Sequence, residues 1–157
     1  MLKAGIIGYG TIGKDIAQLI QTQQAGEIEL KSILVRNPQR IEEIPQHPFS
    51  ITNDEEVFFN QDLDIVIEAA GHHALQFYGE KALASGCHLM VISVGALADN
   101  EFLETLQKAA QENNKQILIP SAAIGGLDRI AAGALGEIEA VTLITRKPVK
   151  SWYGTIA

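Results

Sequence analysis

Gly8-Tyr9-Gly10-Thr11-Ile12-Gly13 sets three glycines at the spacing G-x-G-x-x-G near the start of a 157-residue chain. At that spacing a backbone can hold a pyrophosphate without help from charged side chains. Gly8 permits a tight turn, Gly10 a close approach of the main chain to phosphate, and Gly13 close packing of the next helix on the strand. Thr11 and Ile12 would then lie in the first helical turn, whose free N–H groups and positive dipole end face the anion. The plainer alternative is a strand–helix turn with no ligand. Context favours the ligand, because an apolar run, Met1 to Ile7, precedes the loop and Ile12, Ile16, Leu19 and Ile20 follow it at helical spacing. The expected partner is a dinucleotide.

The end of the second strand tests which one. An NAD site places an acid about 20 residues beyond the glycines, where it holds the adenine-ribose 2′-hydroxyl. Here that strand ends Val35-Arg36-Asn37, with no acid. Arg36, with Arg40 four residues on, suits the 2′-phosphate of NADP; a solvated loop arginine is the bland alternative. The cofactor expected is NADP or NAD, leaning to NADP.

Other strand ends carry small residues. Ile65-Val66-Ile67, bounded by Asp64 and Glu68, leads into Ala69, Ala70 and Gly71, which would let a ribose or nicotinamide come close. The next strand leads to Ser93, which offers a hydroxyl, and the one after to Pro120–Asp128, where Ala123 and two glycines allow close approach. Small residues also favour helix–sheet packing, which accounts for some of them. His72 and His73 are adjacent and cannot easily aim at one metal, and no cysteine–histidine spacing supports a site. They are expected in a loop near the cofactor, with acid–base catalysis the lesser alternative. No metal ligand and no catalytic residue is assigned. His88 falls at the opposite end of the sheet, His47 has no nameable partner, and Cys87 reads as a small buried hydrophobe.

The elements that must position these residues alternate in type. Strands are expected at Met1 to Ile7, Glu27 to Val35, Phe49 to Thr52 (an edge), Ile65 to Ile67, Leu89 to Ile92 and Ile117 to Ile119. Helices are expected from Ile12, from Asp54 to Phe59 with an Asn53 or Asp54 cap, from Ala74 to Ala84, from Asp99, and from Gly125 to Leu135. A loop holding three of the five prolines covers residues 36–50. Continuous apolar strands between amphipathic helices predict a doubly wound parallel sheet, a Rossmann α/β fold. A further strand, Val141 to Thr145, opens near the C-terminus.

Composition excludes several classes. Hydrophobic residues at 46% and charged residues at 20% are those of an ordinary globular protein. A net charge of −7 argues against a nucleic-acid partner or an anionic membrane surface. No apolar run is long enough to span a bilayer, and Met1 leads straight into strand-like sequence without a signal peptide. One cysteine excludes an internal disulfide and fits a reducing cytoplasm.

"GIIGYGTIG", "EAAGHHAL", "VISVGAL", "PSAAIGGLD" and "TRKPVKSWYGT" occur in that order. Together they resemble the N-terminal part of L-aspartate dehydrogenases, and the resemblance covers essentially the whole chain. It implies a reversible reaction in which L-aspartate and NAD(P)+ give iminoaspartate and NAD(P)H, linked to NAD biosynthesis. It also implies that Ala123 contacts the cofactor. The family's catalytic histidine and a cofactor-binding asparagine lie in a C-terminal domain with no counterpart here. Ala122 stands where the family has glycine, and Arg36 stands in place of an acid. The expected division is a dinucleotide-binding domain over 1–138 and the start of a truncated substrate domain over 139–157. L-aspartate would bind only with that missing domain, and the chain alone is expected to be inactive. An unpaired C-terminal strand makes a symmetric homodimer one candidate assembly. An oxidoreductase for another small amino acid or dicarboxylate, or a dinucleotide-binding module without chemistry, are the alternatives.

Overall fold

The computed structural model describes residues 1–37, 39, 48–121, 126–142, 144, 146, 148 and 149. They divide into two compact units, Met1–Pro120 and Ser121–Ala157. In the first, six strands form one sheet in the order β3-β2-β1-β4-β5-β6. The strands are β1 Leu2–Ile7, β2 Ile28–Leu34, β3 Ser50–Thr52, β4 Ile65–Glu68, β5 His88–Val91 and β6 Ile117–Leu118. Every pairing is parallel, so each connection must cross over a face of the sheet. Helices α1 Thr11–Gln21, α2 Glu55–Phe59, α3 His72–Ala84 and α4 Asn100–Glu112 lie in these crossovers, with a short 3₁₀ turn at Val94–Ala98.

Side chains alternate along each strand, and both faces are covered, which explains the unbroken apolar runs Ile6–Ile7, Ile33–Leu34 and Ile65–Ile67. Ala4, Ile6, Ile33, Ile65 and Ile67 face Ala17 and Ile20 of α1. Ile7, Leu34, Val66, Leu89 and Val91 face Phe58, Leu75, Leu83 and Leu106 from the other helices. Glu68 follows Val66 by two and therefore points to this second face, buried with no exposed surface.

Caps set the helix ends. Asp54 caps α2, accepting from the Glu56 N–H at 2.9 Å and the Val57 N–H at 3.3 Å. Asp99 does the same for α4, from Glu101 and Phe102. The helix expected from Ala74 begins two residues earlier, because Gly71, at φ +120°, turns the chain directly out of the strand end. Strand β5 likewise begins at His88 rather than Leu89, and β6 ends at Leu118 rather than Ile119.

Among its described residues the second unit holds one short α-helix, α5 Leu127–Gly133, opened by Gly126. Of the strand expected at Val141 to Thr145, the described residues 141, 142 and 144 belong to no strand, and Val141 and Ile144 are exposed. β-branched residues favour extended backbone, but a strand needs a neighbour to take its N–H and C=O groups. None of the described residues of this stretch pairs with one. Within the proline-rich loop, residues 38 and 40–47, Arg40 and His47 among them, lie outside the described residues, as do Ala122, Ala123 and Trp152.

Candidate functional site

Strand order reverses between β1 and β4, which are neighbours in the sheet but not in sequence. In such sheets a crevice opens at the carboxyl ends of the strands at this point. A cleft of about 690 Å³ lies there. Gly8, Tyr9 and Gly10 enter it from the end of β1, Leu34 to Asn37 from the end of β2, and Ala70 to Ala74 with Phe77 and Tyr78 from the end of β4 and α3.

The glycine loop is built for close contact. Gly8 sits at φ +100°, a conformation that L side chains rarely adopt, and its N–H donates to the Leu34 carbonyl at 2.8 Å. A Cβ on Gly8 would also come within 2.8 Å of the Ala70 Cβ. A Cβ on Gly13 would overlap the Gly8 carbonyl oxygen, so helix and loop are as close as backbones allow. Gly10 has nothing within 4 Å of where a Cβ would stand. Helix α1 starts at Thr11 with no side-chain cap and no acid in its first turn. The N–H groups of Thr11, Ile12 and Gly13 thus have no helical acceptor of their own. An open surface over uncapped N–H groups fits a phosphate, and the residues present fit a pyrophosphate cradle.

Arg36 and Asn37 are exposed at the β2 end and line the same cleft. Ala70 and Gly71 line it from the opposite side. Thr11, Ile12 and Gly13 stand beside it in the first turn of α1. Ser93 does not line it. Its hydroxyl donates to Glu68 Oε1 at 3.0 Å and its N–H to Glu68 Oε2 at 3.1 Å. Glu68 Oε1 also accepts the N–H groups of Ala70 and Gly71, both at 2.8 Å. One buried carboxylate therefore ties the loop after β4 to the loop after β5, using hydrogen bonds alone; no ion pair among the described residues includes it. In the sequence Glu68 marks only the polar end of a strand. An acid that directly follows three core residues was the available signal.

His72 opens α3 with its ring against Gly95: a Cβ there would be 2.8 Å from His72 Nε2. His73 lines the cleft. His88 lies at the amino end of β5, where its Nδ1 accepts the Gln116 N–H at 3.2 Å. Cys87 is 1% exposed and donates to the Leu63 carbonyl at 3.3 Å. Burial pushes its pKa up, with the Ser85 hydroxyl opposing, so it stays a thiol. Among the described residues no group of three or more His, Cys, Asp and Glu could hold a metal, and no helix is long and apolar enough to cross a membrane. Tyr9, Phe77 and Tyr78 also line the cleft, which no local sequence pattern marks. Helix α3 has no sharp apolar stripe, so its pattern did not say which face would meet the cleft.

A family model described as "Homoserine dehydrogenase, NAD binding domain" matches residues 8–120. The L-aspartate dehydrogenase of Methanocaldococcus jannaschii is 37% identical over 150 residues, covering 95% of this chain and 56% of that protein. That of Methanosarcina barkeri is 37% identical over 153 residues, covering 94% and 55%. The chain thus spans little more than half the length of these curated relatives. Among solved structures, the aspartate dehydrogenase of Thermotoga maritima superposes with a TM-score of 0.66 at 26% identity, covering 84% of this chain and 51% of that one. A Staphylococcus aureus homoserine dehydrogenase gives a TM-score of 0.57 at 27% identity, covering 75% and 32%.

Proposed function

The chain belongs to the family of homoserine-dehydrogenase-type NAD-binding domains and is recognisably of the L-aspartate dehydrogenase family, and on that premise we propose that it forms the cofactor-binding part of an NAD(P)-dependent L-aspartate dehydrogenase. The observation that carries this reading is the uncapped first turn of α1, held against Gly8 at the point where the strand order reverses. When bound, the nicotinamide supplies the hydride acceptor. These residues bind and orient. Gly8, Gly10, Thr11, Ile12 and Gly13 would hold the pyrophosphate, and Ala70 and Gly71 would leave room for the ribose and nicotinamide. Ser93 would support that wall through Glu68, and Ala123 remains a cofactor contact by family likeness. L-aspartate oxidation, its link to NAD biosynthesis, the division into 1–138 and 139–157, and a cytoplasmic location belong to the same proposal. So does a homodimer, which a monomer mass by light scattering at high concentration would remove.

Arg36 decides the cofactor. A charge-assisted contact to the 2′-phosphate contributes about 1.5–3 kcal/mol. Arg36→Ala should therefore weaken NADPH binding roughly 10- to 150-fold and leave NADH nearly unchanged. Parallel fluorescence titrations with NADPH and NADH would read this. Equal losses for both, or a wild-type preference for NADH, would refute the phosphate role.

The 157 residues alone should bind the dinucleotide without oxidising L-aspartate, because one domain leaves the nicotinamide face open to water. Turnover by the purified chain above a no-enzyme control would overturn this.

A further inference from the structure

Phe77 is 58% exposed, yet its ring is held on two sides. The Lys81 ammonium lies 4.2 Å from its centroid, and Tyr78 meets it edge-on at 4.8 Å and 80°. Single exposed aromatics are common and need no ligand. Phe77 differs because it is clamped in place on the wall of the cleft.

Its position along the cleft identifies which part of a dinucleotide it could meet. Lys81, one turn on from Phe77, pairs with Glu55 of α2 at 2.7 Å, and the Tyr78 ring lies 6.3 Å from Phe59 of the same helix. Helix α2 follows β3, the sheet's edge beyond β2. This side of α3 therefore faces the β2–β3 half of the sheet, where Arg36 and Asn37 also enter the cleft. His72, in contrast, leans on Gly95 in the turn after β5. A dinucleotide whose pyrophosphate lies on the glycine loop has its adenosine half on the β2 side and its nicotinamide half on the β5 side.

We propose that Phe77 is the stacking platform for the adenine base, with His73, one turn earlier, continuing the same wall. The inference rests on the dinucleotide reading above. A base stacks on an aromatic face without regard to its hydrogen-bonding pattern, and removing such a face weakens binding by about tenfold or more. A ring clamped beforehand loses little freedom when the base arrives.

The test is calorimetric titration of the full chain, wild type, Phe77→Ala and Phe77→Trp, with NADPH, NADH, ADP-ribose and reduced nicotinamide mononucleotide. Because Phe77 is exposed, Phe77→Ala should melt at nearly the wild-type temperature. It should bind ADP-ribose and the preferred dinucleotide about tenfold more weakly, bind the mononucleotide as before, and recover in Phe77→Trp. Wild-type dinucleotide binding that survives unchanged in Phe77→Ala overturns the platform and leaves the dinucleotide reading standing. A loss shared by the mononucleotide also overturns it. A wild-type chain that binds none of the four removes both.

Discussion

Gly13→Ala is expected to destabilise the first unit by about 3 kcal/mol and to abolish dinucleotide binding. A methyl at Gly13 would stand 2.2 Å from the Gly8 carbonyl oxygen, well inside van der Waals contact. Both groups are held by backbone, so neither can swing aside as a flexible side chain would. Helix α1 would have to lift from the end of β1, taking its first-turn N–H groups away from the cleft. For a chain of this size that loss lowers the melting temperature by roughly 6–12 °C. Gly10→Ala separates packing from binding. Gly10 has an ordinary φ of −79° and open space where its Cβ would stand. This variant should melt like the wild type and, on the proposed reading that the pyrophosphate lies over Gly10, bind the dinucleotide at least about tenfold more weakly. Calorimetric melting and dinucleotide titration on both variants give the answer. A Gly13→Ala chain with wild-type melting would mean that helix and loop are not in close contact.

Glu68→Ala is expected to have a comparable effect for a different reason. The side chain has no exposed surface and accepts four hydrogen bonds, from the Ala70, Gly71 and Ser93 N–H groups and the Ser93 hydroxyl. Its removal leaves those donors without their acceptor and leaves a cavity beneath the loop. Hydrogen bonds to a charged group are worth about 1.5–3 kcal/mol each, and water replaces those nearest the surface, so a net loss of about 3–4 kcal/mol is expected. Glu68→Gln keeps the shape but turns one end from acceptor to donor. It should lose about half as much, because one side-chain oxygen still accepts. Urea denaturation of the two variants measures both losses, and dinucleotide affinity should fall with them as Gly71 loses its anchor. Equal stability of Glu68→Ala and wild type would show that the carboxylate does not organise these loops.

The glycine-loop variants and the Glu68 variants probe parts of the cleft that differ in how visible they are in the sequence. Gly8, Gly10 and Gly13 announced their roles through spacing and flanking elements, and the geometry found for them fits the turn, open surface and close packing expected. Arg36 and the Ala70–Gly71 pair were placed at strand ends, and the fold brings those ends to one cleft. Ser93 was placed at a strand end as well, but its hydroxyl is committed to Glu68. Nothing local to residue 93 could reveal a partner 25 positions away.

What the sequence by itself determined was therefore local and periodic: element type from spacing, a parallel sheet from strands with apolar runs, and a tight glycine turn between strand and helix. Tertiary structure alone decided the partners of Glu68, the aromatic wall of Phe77 and Tyr78, and the absence of a strand among the described residues at 141–145. Each of these depends on a neighbour distant in the chain. A carboxylate needs donors from two different loops, a helix face gains meaning from what lies opposite, and an extended segment becomes a strand only when another takes its hydrogen bonds.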